Sequence, residues 1–170
     1  MKSDLVLTFT SPDRPGVVER LTKVVVAGGG NWEESRLARL CGDFAGIARI
    51  SVAADRSDTL RRELESLCDS ELQISVRQSD RPVPSDCSRY EIICNGADHE
   101  GIVNQISGFL ASNQINVEEL TTTVEAAPTT GTPVFNMSCR VAVPKGVDWN
   151  ALDQQLKALA AEQAVDVEVR

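Results

Sequence analysis

Asp13-Arg14-Pro15-Gly16-Val17-Val18-Glu19-Arg20-Leu21 is answered 85 residues later by Asp98-His99-Glu100-Gly101-Ile102-Val103-Asn104-Gln105-Ile106. The acid, the glycine and the apolar run recur at one spacing, so the chain reads as two copies of a single unit. Val17, Val18, Leu21, Val24 and Val25 correspond to Ile102, Val103, Ile106, Phe109 and Leu110. Their i, i+4, i+7, i+8 spacing predicts one buried helical stripe in each copy. At the same offset Asn31 meets Asn116, and Glu33-Glu34 meet Glu118-Glu119.

Outward from these helices the pattern changes to strands. Leu5, Leu7 and Phe9 alternate upstream, as Tyr90, Ile92 and Cys94 do in the second copy. Downstream, Ala48, Ile50 and Val52 match Cys139, Val141 and Val143, now 91 residues apart. The second copy therefore holds six extra residues, placed in Ala126-Ala127-Pro128-Thr129-Thr130-Gly131-Thr132-Pro133, which is loop chemistry. Second helices follow, with Leu60, Leu64 and Leu67 in one copy and Leu152, Leu156 and Leu159 in the other. Each copy closes on an alternating strand: Leu72, Ile74, Val76, then Val165, Val167, Val169.

The order strand, helix, strand, strand, helix, strand is that of the ferredoxin-like class. The expected fold is α+β: two tandem βαββαβ domains, each a four-stranded antiparallel sheet with two helices on one face. The domains are expected over residues 1–78 and 88–170, with 79–87, polar and broken by Pro82 and Pro84, as a linker. Uncovered sheet faces and pairable edges predict a homodimer, or tight packing of the halves.

Charge narrows the function. The 170 residues carry a formal net charge of −8. Residues 1–85 hold 12 Lys/Arg against 13 Asp/Glu, and residues 86–170 hold 5 against 12. Binding to duplex DNA needs clustered cations to displace counterions, so direct nucleic-acid binding is not expected. No apolar run has membrane-spanning length, and the segment from Met1 lacks the apolar core of a signal peptide. Five cysteines without a Cys-x-x-Cys pair point to reduced thiols in the cytoplasm. One histidine and no ligand spacing predict no metal and no cofactor.

The turn between first strand and first helix is the candidate site. Asp13 is read as an N-cap and Pro15 as a first-turn residue, while Gly16 leaves the backbone N–H groups bare. A helix start of this kind suits a small carboxylate. The glycines Gly28-Gly29-Gly30 end the helix, and strand two begins at Asn31, whose amide is expected to approach the Asp13 turn of its own or a neighbouring domain. Plain capping explains the same residues. In the second copy Glu100 already places a carboxylate near the helix start, so the first turn is expected to be the better site. His99 is a candidate pH sensor or an ordinary loop histidine.

These residues carry a resemblance. The doubled βαββαβ order, Asp-Arg-Pro-Gly-Val at 13–17, the glycine-to-asparagine passage at 28–31 and Asp98-x-x-Gly101-Ile102-Val103 resemble ACT domains. The two-domain layout is similar to the glycine cleavage system transcriptional repressor family. That resemblance implies an amino-acid ligand, with glycine as candidate, held near the first turn and at a domain interface. It implies action through a LysR-type transcriptional activator rather than on DNA. The site residues it implies are Asp13, Arg14, Pro15, Gly16, Val17 and Asn31, with Asp98, Gly101, Ile102 and Asn116 in the second copy. His99-Glu100 for Arg-Pro, and Ile115 where Gly30 stands, depart from the pattern. Two other wirings stay open: an allosteric partner of an amino-acid metabolic enzyme, or a ligand-free dimerising scaffold.

Other signals carry no chemistry. Gly28-Gly29-Gly30 follows a helix rather than opening one, so it is a C-terminal cap and not a phosphate loop. Asp80-Arg81-Pro82 echoes the first turn but precedes a proline-broken stretch. No nucleophile motif stands beside His99. Acylphosphatases share the fold class, yet only Arg14 could serve their phosphate loop, so no enzymatic activity is expected. Glu33-Glu34 and Glu118-Glu119 interrupt strand two as a bulge or a solvated edge would. Arg49 and Arg140 match on the outward parity of strand three.

Overall fold

The computed structural model describes residues 1–79 and 86–170. The expected linker, 79–87, lies mostly outside the described residues, as does Asp80-Arg81-Pro82. At its ends, Ser79 still donates to the Asp4 carbonyl (2.9 Å) and Cys87 already opens a strand. The chain divides into two compact units, Met1–Pro82 and Val83–Arg170.

The first unit runs β1 (Lys2–Pro12), α1 (Val17–Ala27), β2 (Asn31–Leu40), β3 (Asp43–Ala53), a 3-10 turn (Ala54–Arg56), α2 (Ser57–Glu65) and β4 (Gln73–Gln78). Its antiparallel sheet has the order β2-β3-β1-β4. The second runs β5 (Cys87–Ala97), α3 (Ile102–Ser112), β6 (Asn116–Ala126), β7 (Pro133–Pro144), α4 (Trp149–Glu162) and β8 (Val165–Val169), with the order β6-β7-β5-β8. The fold is the expected pair of ferredoxin-like α+β units.

Alternation along the strands builds each core. Leu5, Leu7, Phe9, Ala48, Ile50 and Val52 are buried on one sheet face, in one cluster with Leu21, Leu60 and Leu64 from the helices. Each fully buried leucine contributes roughly 1.5–3 kcal/mol relative to exposure. Ile92, Cys94, Cys139 and Val141 form the matching layer against Ile106, Leu110 and Leu156. The expected helical stripe is narrower than the sequence pattern suggests. Val18 and Val103 are 36% and 38% exposed. Each sits about 100° round the helix from its buried neighbour, off the stripe. Leu67 falls beyond the end of α2, and in the last turn of α4 Ala160, not Leu159, takes the buried position.

The six-residue difference is resolved by register. Leu40 pairs Asp43 across a two-residue turn, whereas the equivalent Glu125 and Val134 are joined through Ala126–Pro133. Cys41 and Gly42 in the short turn have φ of 51° and 89°, the pattern of a type I′ hairpin. Bulges interrupt pairing between Trp32 and Glu34 and again between Val117 and Glu119, at the paired glutamates for which a bulge or a solvated edge is expected. All five thiols are free, with Cys94 and Cys139 buried. No helix among the described residues is long and apolar enough to cross a membrane.

Candidate functional site

In the first unit the turn after β1 is held by main chain and charge. The Asp13 amide donates to the Gly42 carbonyl (2.8 Å), and its carboxylate takes Arg39 Nη1 at 3.3 Å. Asp13 therefore secures the β2–β3 hairpin and is not the N-cap the sequence suggested. The cap is Gly16, in the left-handed region at φ 92°, with Pro15 in the preceding turn rather than in the helix. Its carbonyl accepts from the Arg20 amide (2.9 Å), and it offers no side-chain cap to the first-turn amides. Those amides form the positive end of an 11-residue helix.

A concavity of about 350 Å³ opens at this turn, lined by Arg14, Pro15, Gly16, Val17, Arg20 and Leu72. Its far wall is the connection between α2 and β4. Arg14 pairs with Glu71 there, and Arg20 reaches Asp69 (2.9 Å) and the Leu67 carbonyl (3.0 Å). Asp69 Oδ1 also accepts from the amides of Glu71 (2.8 Å) and Leu72 (2.7 Å). Arg20, followed by these two amides, holds the Asp69 carboxyl well below the usual carboxylate range. The concavity thus meets the start of α1 and two guanidiniums, Arg14 and Arg20, each paired with a carboxylate of the α2–β4 connection, Glu71 and Asp69. Such a set has groups of both signs to offer a small zwitterion.

Asn31 is not part of this cluster within the unit. It pairs with Ser51, which also faces Asp4, nine residues before Asp13. At about 3.3 Å per residue, Asn31 and Asp13 stand roughly 30 Å apart, at opposite ends of the sheet. Asn116 pairs with Ala142, which faces Arg89, so it is equally remote from Asp98. Of the two placements expected for Asn31, approach to the Asp13 turn of its own domain does not occur, because α1 carries the chain back along β1 before β2 begins. Asn31 serves the bulge instead. Its Nδ2 and the Ser51 hydroxyl donate to Glu33 Oε1 at 2.9 and 2.6 Å, and Ser51 then Asn31 lower the Glu33 carboxyl.

The second turn has the same frame and a different filling. Gly101 caps α3 at φ 98°, with Ile102 buried behind it, and the Asp98 amide donates to the Pro133 carbonyl (3.1 Å). Where Arg14 stands in the first unit, His99 reaches the C-terminal cap of α4. Its Nε2 lies 2.6 Å from the Gln163 carbonyl and its Nδ1 3.0 Å from that of Glu100. Both ring nitrogens face acceptors, so the Gln163 carbonyl first, then that of Glu100, push the imidazole pKa up. Ile115 is buried in the core, 5% exposed, and does not obstruct the turn.

Sequence reasoning missed Glu71, Asp69, Arg20 and Arg39 as site neighbours. For Arg20 a signal existed: Gln105 replaces it and His99 replaces Arg14 in the second copy, so the cations of the first turn are particular to it. Among the described residues no group of three or more His, Cys, Asp and Glu could hold a metal ion.

Comparison with known proteins agrees with the geometry. Residues 3–77 match the family model for the ACT domain. The chain is 27% identical over 161 residues to the glycine cleavage system transcriptional repressor of Escherichia coli (strain K12), covering 93% of this chain and 84% of that protein. A crystal structure of a Galdieria sulphuraria protein, described only as unknown, is 32% identical with a TM-score of 0.88, covering 100% of this chain and 98% of the other. Another, described as a candidate glycine cleavage system transcriptional repressor, shares the fold with a TM-score of 0.71 at 20% identity, covering 100% and 97%. Of the two βαββαβ units, the first is matched by the ACT-domain family model, and the chain is similar over most of its length to a glycine cleavage system transcriptional repressor.

Proposed function

We propose that this chain is a non-catalytic, cytoplasmic regulator that responds to a small amino acid, with glycine the first candidate. It modulates transcription of the glycine cleavage type through contact with another regulator, a LysR-type activator, rather than through DNA. The observation that carries the reading is the 350 Å³ concavity at the first turn, where open helix amides stand beside the Arg14–Glu71 pair. Similarity to the Escherichia coli repressor over most of the chain supports the transcriptional role. The ligand site is built on Arg14, Pro15, Gly16 and Val17 of the first unit. Asp13 acts by anchoring the turn, and Asn31 enters only from a neighbouring domain. Asp98, Gly101, Ile102 and Asn116 hold the equivalent frame in the second unit, where His99 already spans the turn. The working form is a homodimer.

Thermal shift across the twenty amino acids tests this. A ligand at 100 times its dissociation constant adds about 2.7 kcal/mol to the state that binds it. Glycine or a close analogue is expected to raise the unfolding temperature of the parent chain. Arg14→Ala is expected to remove most of that gain and His99→Ala little of it. A chain that no amino acid stabilises, or one equally affected by both variants, overturns the reading. Affinity capture that recovers a biosynthetic enzyme instead of a transcriptional activator overturns the proposed wiring.

A further inference from the structure

The outer faces of the two sheets, turned away from the helices, follow one plan and are filled differently. Across the first sheet at one level, the register sets Glu34 on β2 beside Arg49 on β3, Arg49 beside Val6 on β1, and Val6 beside Arg77 on β4. Across the second, Glu119 stands beside Arg140 and Arg140 beside Glu91. Arg170 completes that row, exchanging two main-chain hydrogen bonds of 2.9 Å with Glu91. Both rows read glutamate, arginine, a central residue, arginine. The centre is Val6 in the first unit and Glu91 in the second. One level along, Ile47 of the first unit is replaced by Ser138, whose hydroxyl donates to Glu91 (2.8 Å).

The second unit shows that the fold does not require apolar residues at these two places; its own apolar residue on this face is Ile93, opposite Ser138, where the first unit has Thr8. The first unit is apolar at both places. Ile47 is 44% exposed, and a concavity of about 180 Å³ opens beside it, walled by Val6, Glu34 and Arg49. Exposed apolar surface inside a charged rim is the composition of a docking site. The rim indicates the occupant. Face-to-face sheets keep their strands within about 30° of parallel. A twofold axis along the strands, between β1 and β3, lays β2 of one copy over β4 of the other at an unchanged level. Glu34 then meets Arg77 of the partner copy, and Arg77 meets that copy's Glu34. Val6 and Ile47 gather with their mates about the axis. Glu34 already pairs with Arg36 at 3.3 Å, yet its side chain is 57% exposed and open to a second cation.

We propose that the outer sheet face of the first unit, centred on Val6 and Ile47, docks face to face on the same surface of a second copy of this chain, with reciprocal Glu34–Arg77 pairs. This gives the homodimer proposed above a surface, and the amino-acid response does not depend on it.

Sedimentation velocity of the full chain over a concentration series tests the contact, with circular dichroism to verify each variant's fold. The parent chain is expected to dimerise. Glu34→Arg and Arg77→Glu are each expected to weaken the dimer by about tenfold or more, because each reverses two symmetric pairs. The two together restore it to within about threefold of the parent, since each pair is re-formed with its signs exchanged. Ile47→Asp abolishes the dimer, and Ser138→Asp, at the equivalent place in the second unit, leaves it intact. A folded Ile47→Asp variant that still dimerises, or a double variant no tighter than the singles, overturns the contact. A chain that is monomeric at every concentration yet stabilised by glycine overturns it too, and leaves the regulatory reading standing.

Discussion

Replacing Gly16 by alanine isolates the cost of the backbone at the candidate site. Gly16 sits at φ 92° and ψ −5°, and a methyl group added there meets nothing within 4 Å. Steric collision therefore contributes nothing, and the dihedral strain of an L-residue in the left-handed region is the whole effect. That strain is about 1–2 kcal/mol. Spread over a unit of this size, it lowers the unfolding temperature by roughly 4–8 °C per kcal/mol. Gly101, at φ 98° with equally open surroundings, provides a matched control in the other unit. Urea unfolding of the full chain, followed by probes in each unit, should show Gly16→Ala moving the first unit and Gly101→Ala the second by similar amounts. Gly16→Asn should lose less, since asparagine tolerates this region. A Gly16→Ala variant within about 0.3 kcal/mol of the parent would mean that the turn relaxes at no cost, and the argument for a rigid cap would fail. A loss several times larger would refute the open surroundings instead.

Three further outcomes are expected. Ser11, 3% exposed at the base of the first turn, has a hydroxyl without a hydrogen-bond partner; Ser11→Ala should stabilise the first unit by about 1 kcal/mol in urea unfolding, and a loss of stability would show that the hydroxyl is satisfied in solution. Cys41→Asn should stabilise by up to about 1 kcal/mol, because Asn-Gly is the preferred pair for a type I′ turn; destabilisation would mean that the Cys41 side chain makes a contact of its own. His99 gives the second unit a pH dependence. Its folded pKa is raised, so its stabilisation is full below the ordinary histidine value of about 6.5 and is lost as pH rises through the higher folded value. Urea midpoints of the second unit should fall over that interval in the parent and not in His99→Gln; parallel profiles would refute the linkage.

The repeat made the architecture legible because burial acts through period. Leu5, Leu7 and Phe9 could face a core only as a strand, and Leu21 with Val25 only as a helix. The doubled glutamates marked a break in strand two for the same reason, as charges where the alternation called for apolar residues, without separating a bulge from a solvated edge. Local conformation was less readable. Asp13 has the chemistry of a cap, but a left-handed glycine three residues later moved the helix start and freed Asp13 for Arg39. The remote position of Asn31 followed from geometry that the sequence did contain. An 11-residue helix spans about 16 Å and must return the chain toward the start of β1. Glu71 and Asp69 were hidden because their partners lie about fifty residues away, and no periodicity reports an ion pair of that separation.

The paired bulges have a consequence for solubility. Two open four-stranded sheets end on four edge strands, and an edge strand is able to recruit a stranger's strand. Two of these, β4 and β8, have only six and five residues. The longer two are kinked at Glu33 and Glu118, where a carboxylate sits in the break of the ladder. A strand laid along β2 or β6 would lose register at that step and bury a charge. Edge-to-edge extension is thereby disfavoured at the starts of β2 and β6.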